Sequence, residues 1–240
     1  MVNVYCTNWK KCTFVEMVCS LSSLLNLIGL GVVKLDHRSQ EYTTLCDKFR
    51  RDWARRKGPC PSIISIAKII NPVVSQRFES YHNTLRIQGI EQHYHGTRLC
   101  CDLANSAELC DGPNCGICGI ARKGFDPQKI SRSSFQRFGE GFYFAPNSSK
   151  AYDYAIGKRF GAPVRDRNTH YSSVFLCDIA PGRKYTLQFR DPLLSKPPPG
   201  YDSFYGENRA VTGRGELNYD ELVVFDHQAI HPRYIIFCQK

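Results

Sequence analysis

Residues 139–155 read GEGFYFAPNSSKAYDYA. The aromatic run GFYFA over 141–145 has strand character, and a helix over roughly 148–158 follows behind an N-cap at Asn147 or Ser148. Two other pieces stand out on either side of this strand-then-helix unit. Upstream, a strand over 90–96 ends in His95-Gly96-Thr97. Downstream, NYDELVVFD (218–226) places Glu221 at the opening of a strand over 221–226. Further strands are expected over 171–179 and 233–239, so the chain after about residue 88 has the texture of short strands punctuated by glycine and proline. Singly, each piece has an ordinary structural reading: a turn after a strand, a core strand, the exposed face of a strand.

The region before residue 88 is helical in pattern. Tyr42, Leu45, Phe49 and Trp53 recur at helical spacing over 42–56. An isoleucine-rich helix is expected from Ser62 to Ile70. Pro72 then marks the first turn of another, whose Val74, Phe78, Tyr81 and Leu85 form one apolar stripe. Residues 191–206 (DPLLSKPPPGYDSFYG) read as a loop. Helices first and strands after point to an α+β fold with an antiparallel or mixed sheet. There is no internal repeat, and no stretch of the P-loop, dinucleotide-fingerprint or nucleophile-elbow kind.

With 240 residues and 42% hydrophobic content the chain supports an independent core and is not a disordered segment. The net charge of +10 is spread along it. Its densest run, Lys48, Arg50, Arg51, Arg55, Arg56 and Lys57, is interrupted by Asp52 and preceded by Asp47, which suits a solvated helix face better than a nucleic-acid patch. A mildly positive surface favours an anionic ligand such as a pyrophosphate. The apolar run over 17–33 is short for a bilayer span and lacks a clear cleavage site. It is read as a packed helix, with an anchor or targeting segment and a poorly ordered extension as the alternatives. The expected setting is intracellular and reducing, nuclear or cytoplasmic.

Of the twelve cysteines, Cys100, Cys101, Cys110, Cys115 and Cys118 crowd into one short segment. Cys110-x4-Cys115-x2-Cys118 supplies three thiols at metal-ligand spacing, and the intervening glycine-containing turns suit a chain wrapped around an ion. Cys101 is the preferred fourth ligand, because Cys100 points to the opposite face if strand geometry persists. The set suits a structural Zn2+; free or disulfide-paired thiols and a redox role are the alternatives.

Together and in this order, the pieces at 95–97, 139–155 and 218–226 resemble the catalytic domain of the poly(ADP-ribose) polymerase family, within the diphtheria-toxin-like ADP-ribosyltransferases. The resemblance covers about residues 41–240 and leaves 1–40 as an extension of unassigned role. It implies a split sheet of two facing antiparallel layers, preceded by short helices, with NAD+ held as substrate in the cleft between them and the cysteine cluster of 100–118 as an insertion. It implies a trio of His95, Tyr143 and Glu221. His95 would hold an NAD+ ribose hydroxyl, and the Gly96 backbone would clasp the nicotinamide amide beside Thr97. Tyr143 and Tyr154 would sandwich the nicotinamide ring, Lys150 would match the family's Ser-Lys lysine, and Glu221 would bond the nicotinamide ribose. A glycine at 96 suits a main chain that a ligand approaches closely.

One departure stands out. Many members carry, after the lysine, a serine that contacts the nicotinamide carboxamide; here that position is Ala151. Residues 126–140 would cover the NAD+ site, and loops within 191–216 would face the acceptor. The resemblance implies an enzyme moving ADP-ribose to a protein, or to a nucleic-acid end. The alternative is a catalytically quiet module of the same shape that binds NAD+ or ADP-ribose, or a zinc-stabilised interaction module.

Overall fold

The strand expected over 171–179 is the axis of the fold. In the computed structural model, which describes residues 29–54, 58–130, 137–156, 171–191 and 194–239, β5 (Tyr171–Ile179) is nearly buried along its whole length. It lies in a five-stranded sheet with β1 (Gly31–Lys34), β2 (Ile63–Ile70), β3 (Glu91–Gly96) and β9 (Ile230–Gln239), in the order β1-β2-β9-β5-β3. Every neighbouring pair in it is antiparallel. A second sheet has four strands: β4 (Phe142–Phe144), β6 (Lys184–Leu187), β7 (Ser203–Gly206) and β8 (Glu221–Val224), in the order β4-β8-β7-β6. It is antiparallel apart from its β6–β7 edge pair, which is parallel. The expected α+β fold with two layered sheets is what the chain adopts.

Side-chain alternation explains the layering. On one face of the large sheet, Ile66, Val174, Leu176, Ile236 and Cys238 pack with Leu45 and Phe49 of α1 (Gln40–Arg51) and Ala151 and Tyr152 of α5 (Ser148–Ala155). On the other face Ala67, Ile69, Phe175, Cys177, Ile235 and Phe237 meet Phe142, Phe144, Leu222 and Val224 of the small sheet. The same face also takes Ile117, Cys118 and Ala121 of α4 (Gly116–Lys123). Burying a Phe or Leu side chain in such a layer contributes roughly 1.5–3 kcal/mol. A third cluster, Phe138, Phe204, Leu217 and Val223, closes the outer face of the small sheet.

Among the described residues, one backbone bridge stitches the two sheets. Tyr94 and Ala145 exchange backbone hydrogen bonds, N–H to O at 2.8 Å one way and 3.0 Å the other. This joins the β3 edge of one sheet to the end of β4 in the other. At the far end of β3, Lys184 of β6 forms an ion pair with Glu91 at 2.6 Å. Burial opposes ionisation of that carboxyl, but hydrogen bonds from His93 and Lys184 outweigh it and hold the pKa down to about 2.

Asn147 takes the expected N-cap position of α5 but makes no side-chain cap hydrogen bond, whereas the first two helices are capped. The Ser39 hydroxyl accepts from the Tyr42 N–H ahead of α1, and Asn71 accepts from Val74 N–H ahead of α2 (Pro72–Thr84). The stretch expected as a helix from Ser62 to Ile70 forms β2 (Ile63–Ile70) instead. Its isoleucines are β-branched, and the strand sits between β1 and β9 with Ile66 on one face and Ile69 on the other. An apolar run buried on both faces carries no period by which sequence could separate it from a helix. Residues 203–206, expected within a loop, form β7; they are short and sit at the end of a proline-rich stretch. Two helices appear where none was expected, α3 (Leu103–Ser106) and α4, and a last one, α6 (Arg209–Thr212), precedes β8. Of the apolar run 17–33, residues 17–28 lie outside the described residues and 31–33 belong to β1. Among the described residues no helix is long and apolar enough to cross a membrane.

Candidate active site

The stitch between the sheets brings the sequence-distant residues together. His95 follows Tyr94 at the end of β3, Tyr143 is the middle residue of β4, and Glu221 opens β8. His95, Gly96, Tyr143, Lys150, Ala151, Tyr154 and Glu221 all line one small cavity of about 70 Å³. Thr97 lines a larger neighbouring cavity of about 350 Å³, which shares His95, Gly96 and Tyr143 with the first.

His95 is held in one tautomer. Its Nδ1 lies 3.0 Å from the carbonyl oxygen of Tyr143. A carbonyl only accepts, so Nδ1 carries the proton and Nε2 of the neutral ring presents a lone pair. Burial disfavours the imidazolium and lowers the pKa below the ordinary histidine value, more than the carbonyl raises it. Phe125 and Phe144 fix the ring plane, with centroids 4.9 and 5.5 Å from that of His95.

Tyr143 is equally fixed. Its hydroxyl donates to the carbonyl of Gly139 at 2.8 Å and accepts from the Phe138 N–H at 3.0 Å, so the phenol ring stands as a braced wall. Tyr154, from α5, is on the lining of the same cavity. Gly96 is required for a reason other than ligand approach: a Cβ there would fall 1.8 Å from the carbonyl oxygen of Ala151. The neighbour that comes too close for any side chain is the backbone of α5, which packs directly on the end of β3.

Lys150 and Glu221 form an ion pair, with side chains 14% and 8% exposed. At that burial the pair is screened little by salt and depends on its mutual contact. Lys150 comes from the first turn of α5 and Glu221 from the β8 end, so the pair joins the helix covering one sheet to the edge of the other. The neighbouring serines serve the frame. Ser148 Oγ donates to the Phe49 carbonyl at 2.8 Å, and Ser149 Oγ accepts from the Ala54 N–H at 3.3 Å. Neither stands in for the hydroxyl missing at Ala151.

The larger cavity holds residues that sequence reading did not single out. Gly116, Gly119, Ile120 and Lys123 of α4 line it, together with Phe125, Asp126 and Lys129. The available signal was the glycine pair three apart with Lys123 four further on, which puts small residues and a cation on one helix face. Of the segment 126–140, Asp126, Lys129 and Ile130 line this cavity, and 131–136 lie outside the described residues. Among the described residues, nothing from 191–216 lines either cavity.

The cysteine cluster lies beside this helix. The sulfurs of Cys101, Cys110, Cys115 and Cys118 all fall within 4.8 Å of one another. Cys101 Sγ is 3.5 Å from that of Cys118 and 4.0 Å from that of Cys115. Four thiolates placed about 2.3 Å from a tetrahedral zinc are separated by about 3.8 Å, so the set has the dimensions of such a site. Cys100 is turned elsewhere: its thiol donates to the Asn114 carbonyl at 3.3 Å, and its N–H donates to Cys115 Sγ at 3.4 Å. Backbone N–H donation to a sulfur favours the thiolate form.

A family model described as the poly(ADP-ribose) polymerase catalytic domain matches residues 39–240. The chain is 26% identical over 204 residues to the human protein mono-ADP-ribosyltransferase PARP3, a span of 83% of this chain and 32% of that protein. It is 27% identical over 173 residues to the mouse protein mono-ADP-ribosyltransferase PARP4, covering 68% of this chain and 8% of that protein. Against human PARP4 the identity is 27% over 148 residues, 58% of this chain and 8% of that protein. The chain thus spans a third or less of the length of these curated relatives.

Proposed function

The chain belongs to the poly(ADP-ribose) polymerase catalytic domain family, and from that premise we propose that it transfers ADP-ribose from NAD+ to a protein acceptor and releases nicotinamide. The observation that carries the reading is the convergence of His95, Tyr143, Lys150, Tyr154 and Glu221 on one small cavity that shares His95, Gly96 and Tyr143 with a larger one. The dimensions suit a dinucleotide laid across both, with nicotinamide in the small cavity and the adenosine side in the large one. Tyr143 and Tyr154 offer the flat apolar faces that hold an aromatic ring. The Nε2 lone pair of neutral His95 accepts from a ribose hydroxyl. Lys123 and Lys129 supply positive charge on the side where the pyrophosphate runs.

The reaction breaks the bond between ribose C1′ and the nicotinamide nitrogen, whose ring leaves with the electron pair and becomes neutral. Positive charge builds on the sugar before the acceptor forms its own bond to C1′ and gives up its proton. The buried carboxylate of Glu221, fixed by Lys150, stabilises that charge where it develops, in a site with little water. The test is incubation with labelled NAD+ and a mixture of proteins, scoring label on protein and free nicotinamide. Glu221→Gln is expected to lower transfer by about 10²–10³ with NAD+ binding retained. A Gln variant with wild-type transfer overturns the role of Glu221. NAD+ binding without label or nicotinamide release in the parent protein would instead mark a quiet binding module.

The four cysteine thiols support a structural Zn2+ reading for the same protein, since a site closed by four protein ligands leaves no open position for chemistry. When bound, the ion supplies cross-linking of the chain. Metal analysis of the purified protein is expected to give one zinc per chain.

A further inference from the structure

The cysteine cluster and the larger cavity share one helix. α4 is eight residues long and carries glycines at 116 and 119. Isolated helices under about 12–15 residues are marginal, and each glycine costs roughly 1 kcal/mol against alanine. Core packing of Ile117, Cys118 and Ala121 holds its inner face, and contacts at its two ends fix where on that face it sits. At the C-terminal end the side-chain amide of Asn71 donates to the carbonyls of Ala121 and Arg122, at 3.0 and 2.9 Å. At the N-terminal end the grip runs through sulfur: Cys115 is the N-cap and Cys118 lies within the first turn. Arg122 reaches back from the last turn to the carbonyls of Leu109 and Cys110, at 2.9 and 3.1 Å, and so steadies the loop that brings in the Cys110 thiol.

The gripped end touches the site. Gly116 is so close to Thr97 that a Cβ there would lie 2.4 Å from Thr97 Oγ1. The Ile117 N–H donates to the Arg98 carbonyl at 3.1 Å. Helix and strand end are thus in contact just beyond His95 and Gly96. The helix gives Gly116, Gly119, Ile120 and Lys123 to the larger cavity and nothing to the smaller one, whose lining comes from β3, β4, α5, β8 and the segment joining β4 to α5.

We propose that a metal held by Cys101, Cys110, Cys115 and Cys118 sets the position of α4, and through it the wall of the chamber for the ADP-ribose part of NAD+. Dinucleotide binding then depends on the metal, and nicotinamide binding does not. This deepens the zinc and NAD+ readings above and rests on both.

The test measures metal content and two ligands by calorimetry, in the purified protein and after metal removal with a chelator. A misplacement of about 1 Å can cost up to 10²-fold at a site, so removal is expected to weaken ADP-ribose by roughly tenfold or more. Nicotinamide affinity should stay within about twofold. Unchanged ADP-ribose affinity in the stripped protein overturns the proposal, and so does parallel loss of both ligands, which would make the metal a prop of the whole fold. Gly116→Ala is the second arm. It keeps all four thiols and drives a methyl group against Thr97, so it should retain zinc and reproduce the selective loss of ADP-ribose. A Gly116→Ala protein with parental ADP-ribose affinity refutes the coupling even if the stripped protein does not fold. Absence of metal from the purified protein sinks the zinc reading itself, and a parent that binds neither ligand sinks the NAD+ reading.

Discussion

Replacing Ala151 by serine should tighten nicotinamide. Ala151 is 3% exposed, lines the small cavity, and has its backbone clamped against Gly96, so a new hydroxyl arrives on a fixed frame. The serines before it are already committed, Ser148 to the Phe49 carbonyl and Ser149 to the Ala54 N–H. One added hydrogen bond to a ligand is worth about 0.5–1.5 kcal/mol net, which corresponds to a roughly 2- to 12-fold lower Kd. The cost to the helix is small, about 0.5 kcal/mol of propensity, so the variant should fold. A bond from the new hydroxyl back to the carbonyl four residues earlier would move the gain toward the low end of that range. Calorimetric titration with nicotinamide on the parent, Ala151→Ser and Ala151→Val separates chemistry from size. Valine adds bulk without a donor and should weaken binding. Equal tightening by valine, or a serine variant no tighter than the parent, would refute the hydrogen-bond reasoning.

Other outcomes follow from the same geometry. Lys150→Met leaves the Glu221 carboxylate buried without its ion-pair partner and should destabilise by about 3–5 kcal/mol in urea unfolding. Combining it with Glu221→Gln should restore much of that loss, and additive losses would mean the pair is not coupled. His95 has its pKa lowered by burial, so between that value and the ordinary 6.5 the unfolded chain binds the proton more readily than the folded one. Its contribution is therefore fully present above 6.5 and declines as pH falls. His231 is lowered in the same direction, so His95→Gln should reduce the acid-side slope of stability without abolishing it. Gly119 has no atom within 4 Å of where a Cβ would sit, and it lines the larger cavity. Gly119→Val should fold normally and lose ADP-ribose affinity while keeping nicotinamide, and unchanged ADP-ribose affinity would place the adenosine side elsewhere.

Much of the fold was legible because strand-forming residues cluster between turn signals. The runs at 171–179 and 221–226 are rich in aromatic and β-branched residues and bounded by turn residues, and strands occupy 171–179 and 221–224. The isoleucine run at 63–70 misleads because its apolar residues fall on both faces, Ile66 on one and Ile69 on the other, so no alternation separates it from a helix. The residues of the small cavity could be named from their order and flanking sequence. How they touch could not, because the Lys150–Glu221 pair closes across 71 positions and the His95–Tyr143 bond across 48. The α4 side of the site was silent for a different reason. Glycines mark it by what they leave open, and absence of a side chain has no hydrophobic period to read.

The backbone exchange between Tyr94 and Ala145 also has a mechanical meaning. It would act as a fulcrum: were one sheet to shift against the other, the displacement would be least beside two main chains that are hydrogen-bonded to each other. His95 is the residue after Tyr94, Tyr143 lies two before Ala145, and Glu221 precedes Leu222, which pairs with Phe144. His95, Tyr143 and Glu221 therefore sit where the two sheets are tied most closely. A change of length in the loops at the rim would leave the trio's spacing untouched.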